Sequence, residues 1–216
     1  MLYRAVGNSC AFNLANFELN EEETLSILED KGFRVIKLDV VSTARECVGK
    51  SKYKRGARPS EAPAVVDCSS FTKCVYGQRG IWLPRRSIQQ AGYGIGVSFK
   101  NLRAGDLVFV SGFIDRYHRD PSWGIGHVGI FSGENTLIHA ANTHENVTET
   151  PIEKFTDSGK KWRGARRYIP EGEHIVTLAT PTRREVETSD DIKWIIRSSL
   201  PPPTQPERRS HEHNPD

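Results

Sequence analysis

The sequence predicts an α+β fold in which an antiparallel sheet packs against a helix that begins at a cysteine. The first observation is the stretch 65–71, where two valines lead into an acid, Cys68 and two serines before an apolar residue starts a helical run. The second is a pair of apolar, β-like runs around His127 and His139, separated by the turn-forming segment 132–135. Together they indicate a helix and a hairpin that share one site.

The position of Cys68 at a helix start makes it a candidate nucleophile. The first N–H groups of a helix have no intrahelical partner and carry the positive end of the helix dipole, so they stabilise a thiolate. Helix N-termini lower the pKa of a cysteine from about 8.5 to roughly 3.5–7.5, and we expect a lowered pKa for Cys68. The alternative is a buried structural cysteine, which is the role we expect for Cys74.

The two histidines of the hairpin suit the other roles that a thiol nucleophile requires. Such a nucleophile needs a base, and the base needs a third group that holds its tautomer and orientation. On adjacent antiparallel strands, His127 and His139 would lie side by side, one accepting the Cys68 proton and the other orienting it. The alternative is that both are structural histidines of an apolar sheet. His118 and His144 are expected to be surface residues.

Five separate segments resemble the successive motifs of the NlpC/P60 cysteine peptidases in order and spacing. The resemblance covers about residues 41–170, and it is specific because several motifs agree. The segments are 67–71, 83–85 with Gln89 and Gln90, 102–109, 126–130 and 138–140.

This resemblance implies a papain-like α+β fold, with residues 41–170 as the catalytic domain. It makes Cys68 the nucleophile, His127 the general base and later the general acid, and His139 the residue that orients His127. The implied enzyme is a cysteine-type endopeptidase, a hydrolase that needs no cofactor and no metal. Its implied partner is a peptidoglycan-derived stem peptide, cut between the side-chain carboxyl of D-glutamate and a diamino acid.

The resemblance also assigns a substrate subsite. Tyr53, Asp67 and Ser69 match the positions that line the subsite for the free amino end of a cell-wall peptide. Asp67 is equally suited to cap the helix that begins at Cys68. The chain departs from the family where Ser70 replaces the usual glycine, and where the segment 54–57 replaces an aromatic residue followed by two glycines.

Two alternatives stay open. The altered segment 54–57 motivates the first, a thiol amidase or acyltransferase that acts on a substrate outside the cell wall. A catalytically inactive module that binds the wall is the other alternative, although all the catalytic residue types are present.

Composition and charge limit the partners. The chain has 216 residues with a net charge of +3 and interspersed charges, so we expect no nucleic-acid partner. The cysteines at positions 10, 47, 68 and 74 lack the spacing of a zinc or redox motif, and a pairing of Cys10 with Cys47 stays open. Residues 1–17 lack the apolar core of a signal peptide, and no apolar run spans a membrane. We expect a cytoplasmic protein, with delivery to the wall by another route as the alternative.

Segments on either side of the catalytic domain are predicted to form extensions. Residues 1–40 should hold a helix capped by Asn20, and residues 33–41 read as a strand. A capping box at Thr43 and Glu46 predicts a second helix. Residues 171–200 should hold a short strand and an amphipathic helix, followed by a disordered tail at 201–216.

Three expectations concern the surroundings of the site. A helix should open at Pro84, and the glycines of segment 92–96 should form a loop. Residues 107–110 should form a strand, preceded by Asp106 in a turn. Residues 111–125 should form a long loop near the cleft, a position suited to substrate contacts.

Overall fold

The computed structural model describes residues 2–16, 19–117, 119–120, 123–156 and 162–201. Its helices are α1 (Glu21–Asp30), α2 (Val40–Arg45), α3 (Cys68–Gln78), α4 (Ser87–Gln90), α5 (Ile152–Thr156) and α6 (Ser189–Ser199). Its strands are β1 (Ser9–Asn13), β2 (Arg34–Ile36), β3 (Lys52–Tyr53), β4 (Val65–Val66), β5 (Ile95–Val97), β6 (Leu107–Val110), β7 (His127–Phe131), β8 (Thr136–Asn142), β9 (Asn146–Pro151), β10 (Trp162–Arg167) and β11 (Ile175–Ala179).

The central sheet has six strands in the order β5-β10-β6-β7-β8-β9, and every neighbouring pair is antiparallel. The predicted histidine hairpin is β7 and β8, and the predicted strand at 107–110 is β6. The turn at 132–135 includes Gly133 and Asn135 with φ of 92° and 59°, values that these two residue types tolerate best. Local turn chemistry therefore sets the register that brings the histidines together.

Helix α3 packs its apolar side on this sheet. Phe71, Val75 and Tyr76 are buried in one core cluster with residues of β6, β7 and β8. Full burial of such side chains contributes about 1.5–3 kcal/mol each, which holds the helix against the strands. The phenol of Tyr76 donates to the carbonyl of Gly105, a bond that ties α3 to the turn before β6.

Asp106 is the turn acid that was expected, because its carboxylate accepts from the Arg103 N–H at 2.8 Å, and it also has a second role. It is 2% exposed, and both of its carboxylate oxygens accept from Arg167 at 2.8 and 2.9 Å. This two-bond ion pair joins the start of β6 to the end of β10. The pairing depends on two strands far apart in sequence, so the local pattern around Asp106 did not reveal it.

Both ends of the chain contribute to a second sheet, with the order β1-β11-β2. Helices α1 and α6 cover it, and Phe12, Leu28 and Ile196 lie in their shared apolar core. The capping of α1 by Asn20 is confirmed, because its side chain accepts from the Glu23 N–H at 2.9 Å. The short strand and the amphipathic helix expected after residue 170 are β11 and α6.

The second sheet is held against the end of α3. Arg79, just beyond the helix, donates to the carbonyl of Ile175 and to the hydroxyl of Thr177. Gly80 has φ 73°, and a Cβ there would lie 2.5 Å from the backbone nitrogen of Ala11. The chain ends therefore touch the helix that carries Cys68 at its far end.

Two predicted elements near residue 40 are present, but their bounds differ from the prediction. The strand expected at 33–41 is limited to Arg34–Ile36, and α2 begins at Val40 rather than near Thr43. The cap is Asp39, whose carboxylate accepts from the Ser42 N–H at 2.7 Å. Burial of two β-branched valines in the main core outweighs their weak helix propensity.

Two further differences lie around the glycine-rich segment. Helix α4 begins at Ser87, after Pro84, and the expected loop contains β5, which pairs with β10. β5 lies at the edge of the sheet, and its apolar residues alternate with small ones. The glycines at these alternate positions favoured the loop prediction over a strand.

All four cysteines are free thiols, and Cys10 and Cys47 lie in separate core clusters. The disorder expected beyond Pro201 and the position expected for His118 lie outside the described residues. Within the described ranges, no helix is both long and apolar enough to span a bilayer.

Candidate active site

The nucleophile candidate Cys68 is the first residue of α3, as predicted. Its preceding residue, Asp67, caps the helix by accepting from the Ser70 N–H at 2.8 Å. The Ser70 hydroxyl in turn accepts from the Asp67 N–H at 2.8 Å. Ser70, which replaces the family's usual glycine, therefore completes a reciprocal cap that fixes the backbone around Cys68.

The environment of the Cys68 thiol differs from the expectation of a lowered pKa. Burial and, to a smaller extent, the Asp67 carboxylate raise the pKa of Cys68 to about 11. The N–H groups of Val128 and Ser69 and the guanidinium of Arg85 act in the opposite direction. Loss of hydration outweighs the helix dipole here, so the prediction was wrong and the thiol depends on a base to ionise.

The predicted base and orienting residue lie in direct contact. Nε2 of His127 is 2.8 Å from Nδ1 of His139, and the two rings meet edge to face with centroids 5.0 Å apart. Gly129 makes room for this pair, because a Cβ there would lie 3.2 Å from the Cβ of His139. The Val128 N–H that reaches Cys68 belongs to the residue next to His127, which places the thiol beside the same strand.

Two residues that the sequence analysis missed complete the surroundings of the histidines. The Thr150 hydroxyl on β9 lies 2.8 Å from Nε2 of His139. Phe155 on α5 is buried, and its ring centroid is 5.0 Å from that of each histidine. Neither lies in a motif, and only the pairing of β9 with β8 would have indicated Thr150.

The predicted substrate contacts Asp67 and Ser69 are held by a further residue, Arg85. Its guanidinium bonds both Asp67 oxygens at 2.5 and 3.1 Å, the Ser69 hydroxyl at 3.0 Å and the Ala57 carbonyl at 2.6 Å. Arg85 lies in a segment that the resemblance included, but no role was assigned to it. The Asp67 carboxylate thus serves as cap and ion-pair partner, and it also lines the cleft.

Two adjoining cavities form the cleft around these residues. One of about 370 Å³ is lined by Cys68, and the other of about 350 Å³ by His127. Tyr53, the third predicted substrate contact, lines both. Residues of the 111–125 segment line both as well, as expected, with Ile114 in each. The cleft therefore passes from the nucleophile to the base.

Two other residues with a predicted position, His144 and Cys74, line neither cavity of the cleft. His144 is exposed, as expected. Cys74 is half-buried and lines a separate cavity of about 400 Å³ beside the N-terminal segment, so the core position expected for it was wrong. Among the described residues, no three His, Cys, Asp or Glu side chains gather into a group that would hold a metal ion.

Residues 49–167, more than half of the chain, match the model of the NlpC/P60 family. A probable endopeptidase of Corynebacterium glutamicum is 37% identical over 115 residues, 53% of this chain and 47% of that one. A gamma-D-glutamyl-L-lysine dipeptidyl-peptidase of Bacillus cereus is 32% identical over 104 residues, 48% of this chain and 29% of that one. A murein DD-endopeptidase and LD-carboxypeptidase of Escherichia coli is 33% identical over 153 residues, 69% of this chain and 75% of that one.

The first two relatives are longer proteins, and the chain matches about half or less of their length. The match of the family model over residues 49–167 agrees with the α+β arrangement of an antiparallel sheet on the Cys68 helix, so the expected papain-like fold is confirmed. The chain belongs to the NlpC/P60 family.

Proposed function

We propose that this chain is a cysteine endopeptidase that hydrolyses peptidoglycan stem peptides between D-glutamate's side-chain carboxyl and a diamino acid. The observation that carries the proposal is the ordered contact of His127 with His139 beside the helix start that bears Cys68. The names of the relatives, which include a peptidase for gamma-D-glutamyl-L-lysine and a murein endopeptidase, support the choice of bond and substrate.

The bonds of the histidines define how a proton moves. If His139 donates through Nε2 to Thr150, its Nδ1 is an acceptor, and it accepts from Nε2–H of His127. His127 then keeps a basic Nδ1, which is the nitrogen that takes the Cys68 proton. Because burial raises the pKa of the half-buried Cys68 thiol, the thiol depends on this transfer to become a nucleophile.

The acylation step follows from this arrangement. Cys68 Sγ attacks the glutamyl carbonyl carbon, and negative charge develops on the carbonyl oxygen. In the described part of the chain, no acceptor binds the Cys68 N–H, while the Ser70 N–H is used by the cap. The Cys68 N–H is therefore the donor that we assign to the oxyanion, and a donor of this kind contributes about 10²–10³ in rate.

The reaction closes with proton return and hydrolysis. His127, now protonated, gives its proton to the departing amine of the diamino acid, which leaves a thioester on Cys68. Water then attacks the thioester with His127 as base, and the acid product and the free thiol are released. His139 and Thr150 hold the His127 ring throughout.

The subsite role of Tyr53, Asp67 and Ser69 belongs to the same proposal. All three line the cavity that contains Cys68, at the end where the acyl part of the substrate would lie. Arg85 holds Asp67 and Ser69 in fixed positions, so a substrate amino end would meet oxygen atoms that are already oriented.

The experiment uses the tetrapeptide L-Ala-γ-D-Glu-diaminopimelate-D-Ala with wild-type protein and the Cys68→Ala variant, and products are identified by mass spectrometry. We expect L-Ala-D-Glu from the wild type alone. Turnover by Cys68→Ala would refute the role of the thiol. No turnover, with rapid alkylation of Cys68 by a substrate-like electrophile, would favour an amidase or acyltransferase that acts outside the wall. No turnover with an inert Cys68 would favour a binding module.

A further inference from the structure

The cleft carries an excess of positive charge that the proposed mechanism does not use. Four arginines line the cavity of Cys68, against the single carboxylate of Asp67, which Arg85 already binds. They are Arg55, Arg85, Arg86 and Arg116. Among the contacts of the described residues, Arg55, Arg86 and Arg116 form no salt bridge. Unpaired guanidinium groups in a concave site favour anionic ligands.

Arg55 differs from the other unpaired arginines because it lines both cavities. Among the residues that the structure describes, the cavity of His127 is lined by no other arginine or lysine, and by no aspartate or glutamate. His127 protonates the leaving amine in the proposed reaction, so the leaving residue occupies the cavity that His127 lines. Arg55 is therefore the charged side chain that this residue meets.

The rest of that cavity suits an aliphatic side chain with a charged end. Phe113 and Ile114 are 99% and 46% exposed and give it an apolar wall. Arg55 is exposed and follows Lys54, whose ammonium group is paired with Glu61 at 2.7 Å. Of these neighbouring cations, Arg55 faces the cleft and Lys54 does not.

From this arrangement we propose that Arg55 binds a side-chain carboxylate of the leaving residue, so that the cleft prefers a diamino diacid over lysine at that position. The inference rests on the proposed function, because it takes the leaving residue to be a diamino acid. A guanidinium forms two parallel bonds with a carboxylate, and such charge-assisted bonds strengthen as the substrate displaces water from the cleft.

The test compares two tetrapeptides, L-Ala-γ-D-Glu-X-D-Ala, in which X is meso-diaminopimelate or L-lysine. They differ by one carboxylate on the side chain of X. For the wild type we expect kcat/KM to be roughly 10-fold higher with diaminopimelate, the size of a charged hydrogen bond. Arg55→Met should lower that ratio to about one by slowing diaminopimelate cleavage alone, and Arg55→Lys should restore part of it.

The matched control is Lys54→Met, which removes the adjacent cation outside the cleft and should leave the ratio unchanged. A second pair of tetrapeptides differs only at the glutamyl residue, which has its α-carboxylate in one peptide and an amide in the other. If Arg55→Met instead abolished the preference between these two peptides, the carboxylate that Arg55 binds would be that of the glutamyl residue, and the inference would be overturned.

The remaining outcomes separate this inference from the proposed function. Equal cleavage of both tetrapeptides by the wild type would overturn the role of Arg55 and leave the peptidase intact. Cleavage of neither would overturn the proposed function, and this inference with it. A preference that survives in Arg55→Met would likewise exclude Arg55 as its origin.

Discussion

Replacement of Thr150 by valine tests the proposed proton relay, in which Thr150 holds His139 and His139 holds the His127 base. Valine has nearly the shape of threonine and lacks the hydroxyl, so it removes the partner that lies 2.8 Å from Nε2 of His139. Without that acceptor, His139 is no longer held in the tautomer that accepts from His127. A larger share of the enzyme then has its proton on the wrong nitrogen of His127.

The expected size of the effect follows from the single bond that is lost. A neutral hydrogen bond contributes a net of about 0.5–1.5 kcal/mol, and 1.4 kcal/mol corresponds to tenfold. We therefore expect kcat to fall about 2- to 10-fold. Thr150 lines neither cavity of the cleft, so KM should stay within about twofold of the wild-type value.

The assay is steady-state hydrolysis of the diaminopimelate tetrapeptide, with Thr150→Ser as the variant that keeps the hydroxyl. Thr148→Val is the matched control, because Thr148 is on the same strand, pairs directly with His139 in the register and forms no hydrogen bond through its hydroxyl among the described contacts. We expect Thr150→Ser and Thr148→Val to retain most of the wild-type kcat.

An equal loss in Thr150→Val and Thr148→Val would refute the relay, since it would show that any change on this strand disturbs the site. A loss expressed in KM alone would also contradict it.

Three further predictions concern neighbouring contacts. Burial and the Asp67 carboxylate both raise the pKa of Cys68, so alkylation by iodoacetamide should accelerate only in the alkaline range. Asp67→Asn should move the midpoint of this pH profile to lower pH, and an unmoved midpoint would contradict the reasoning. Arg85→Met leaves the Asp67 carboxylate without its ion pair and should lower the free energy of unfolding, measured by urea titration, by about 1.5–3 kcal/mol. Lys54→Met breaks an exposed pair and should change it by less than about 1 kcal/mol. Equal losses in the two variants would argue against a structural role of the Arg85–Asp67 pair. Phe155→Leu removes both ring contacts to the histidines, and each contributes about 0.5–1.5 kcal/mol. The free energy of unfolding should therefore fall by about 1–3 kcal/mol, and kcat should fall as well. An unchanged kcat would show that the ring only fills space.

The parts of the fold that could be predicted are those encoded over a few adjacent residues. The start of α3 at Cys68 follows from an acid before a helical run, and the histidine hairpin follows from two apolar runs around a glycine turn. Asn20 capped α1 for the same reason. Each of these signals acts within one turn of helix or one hairpin.

The errors have a common cause in contacts between distant segments. Val40 and Val41 have low helix propensity, yet burial places them in α2. Asp106 was predicted only as a turn acid, and its ion pair with Arg167 on β10 is a further role that the local pattern does not show. The pKa of Cys68 was expected to fall because the helix start is visible in the sequence, whereas the burial that raises it is not.

The sequence by itself predicted which residues would perform the proposed chemistry and determined on which kinds of element they lie. Cys68, His127 and His139 were predicted for these roles because motif spacing and local pattern place a thiol at a helix start and two imidazoles on a hairpin. Only the tertiary structure decided what surrounds them. Thr150 reaches His139 through the pairing of β8 with β9. Arg55 lines a cavity whose other walls come from segments that are distant in the sequence. Hydration, charge pairing and hydrogen-bond partners depend on which distant segments meet, and that is established only when the chain is packed.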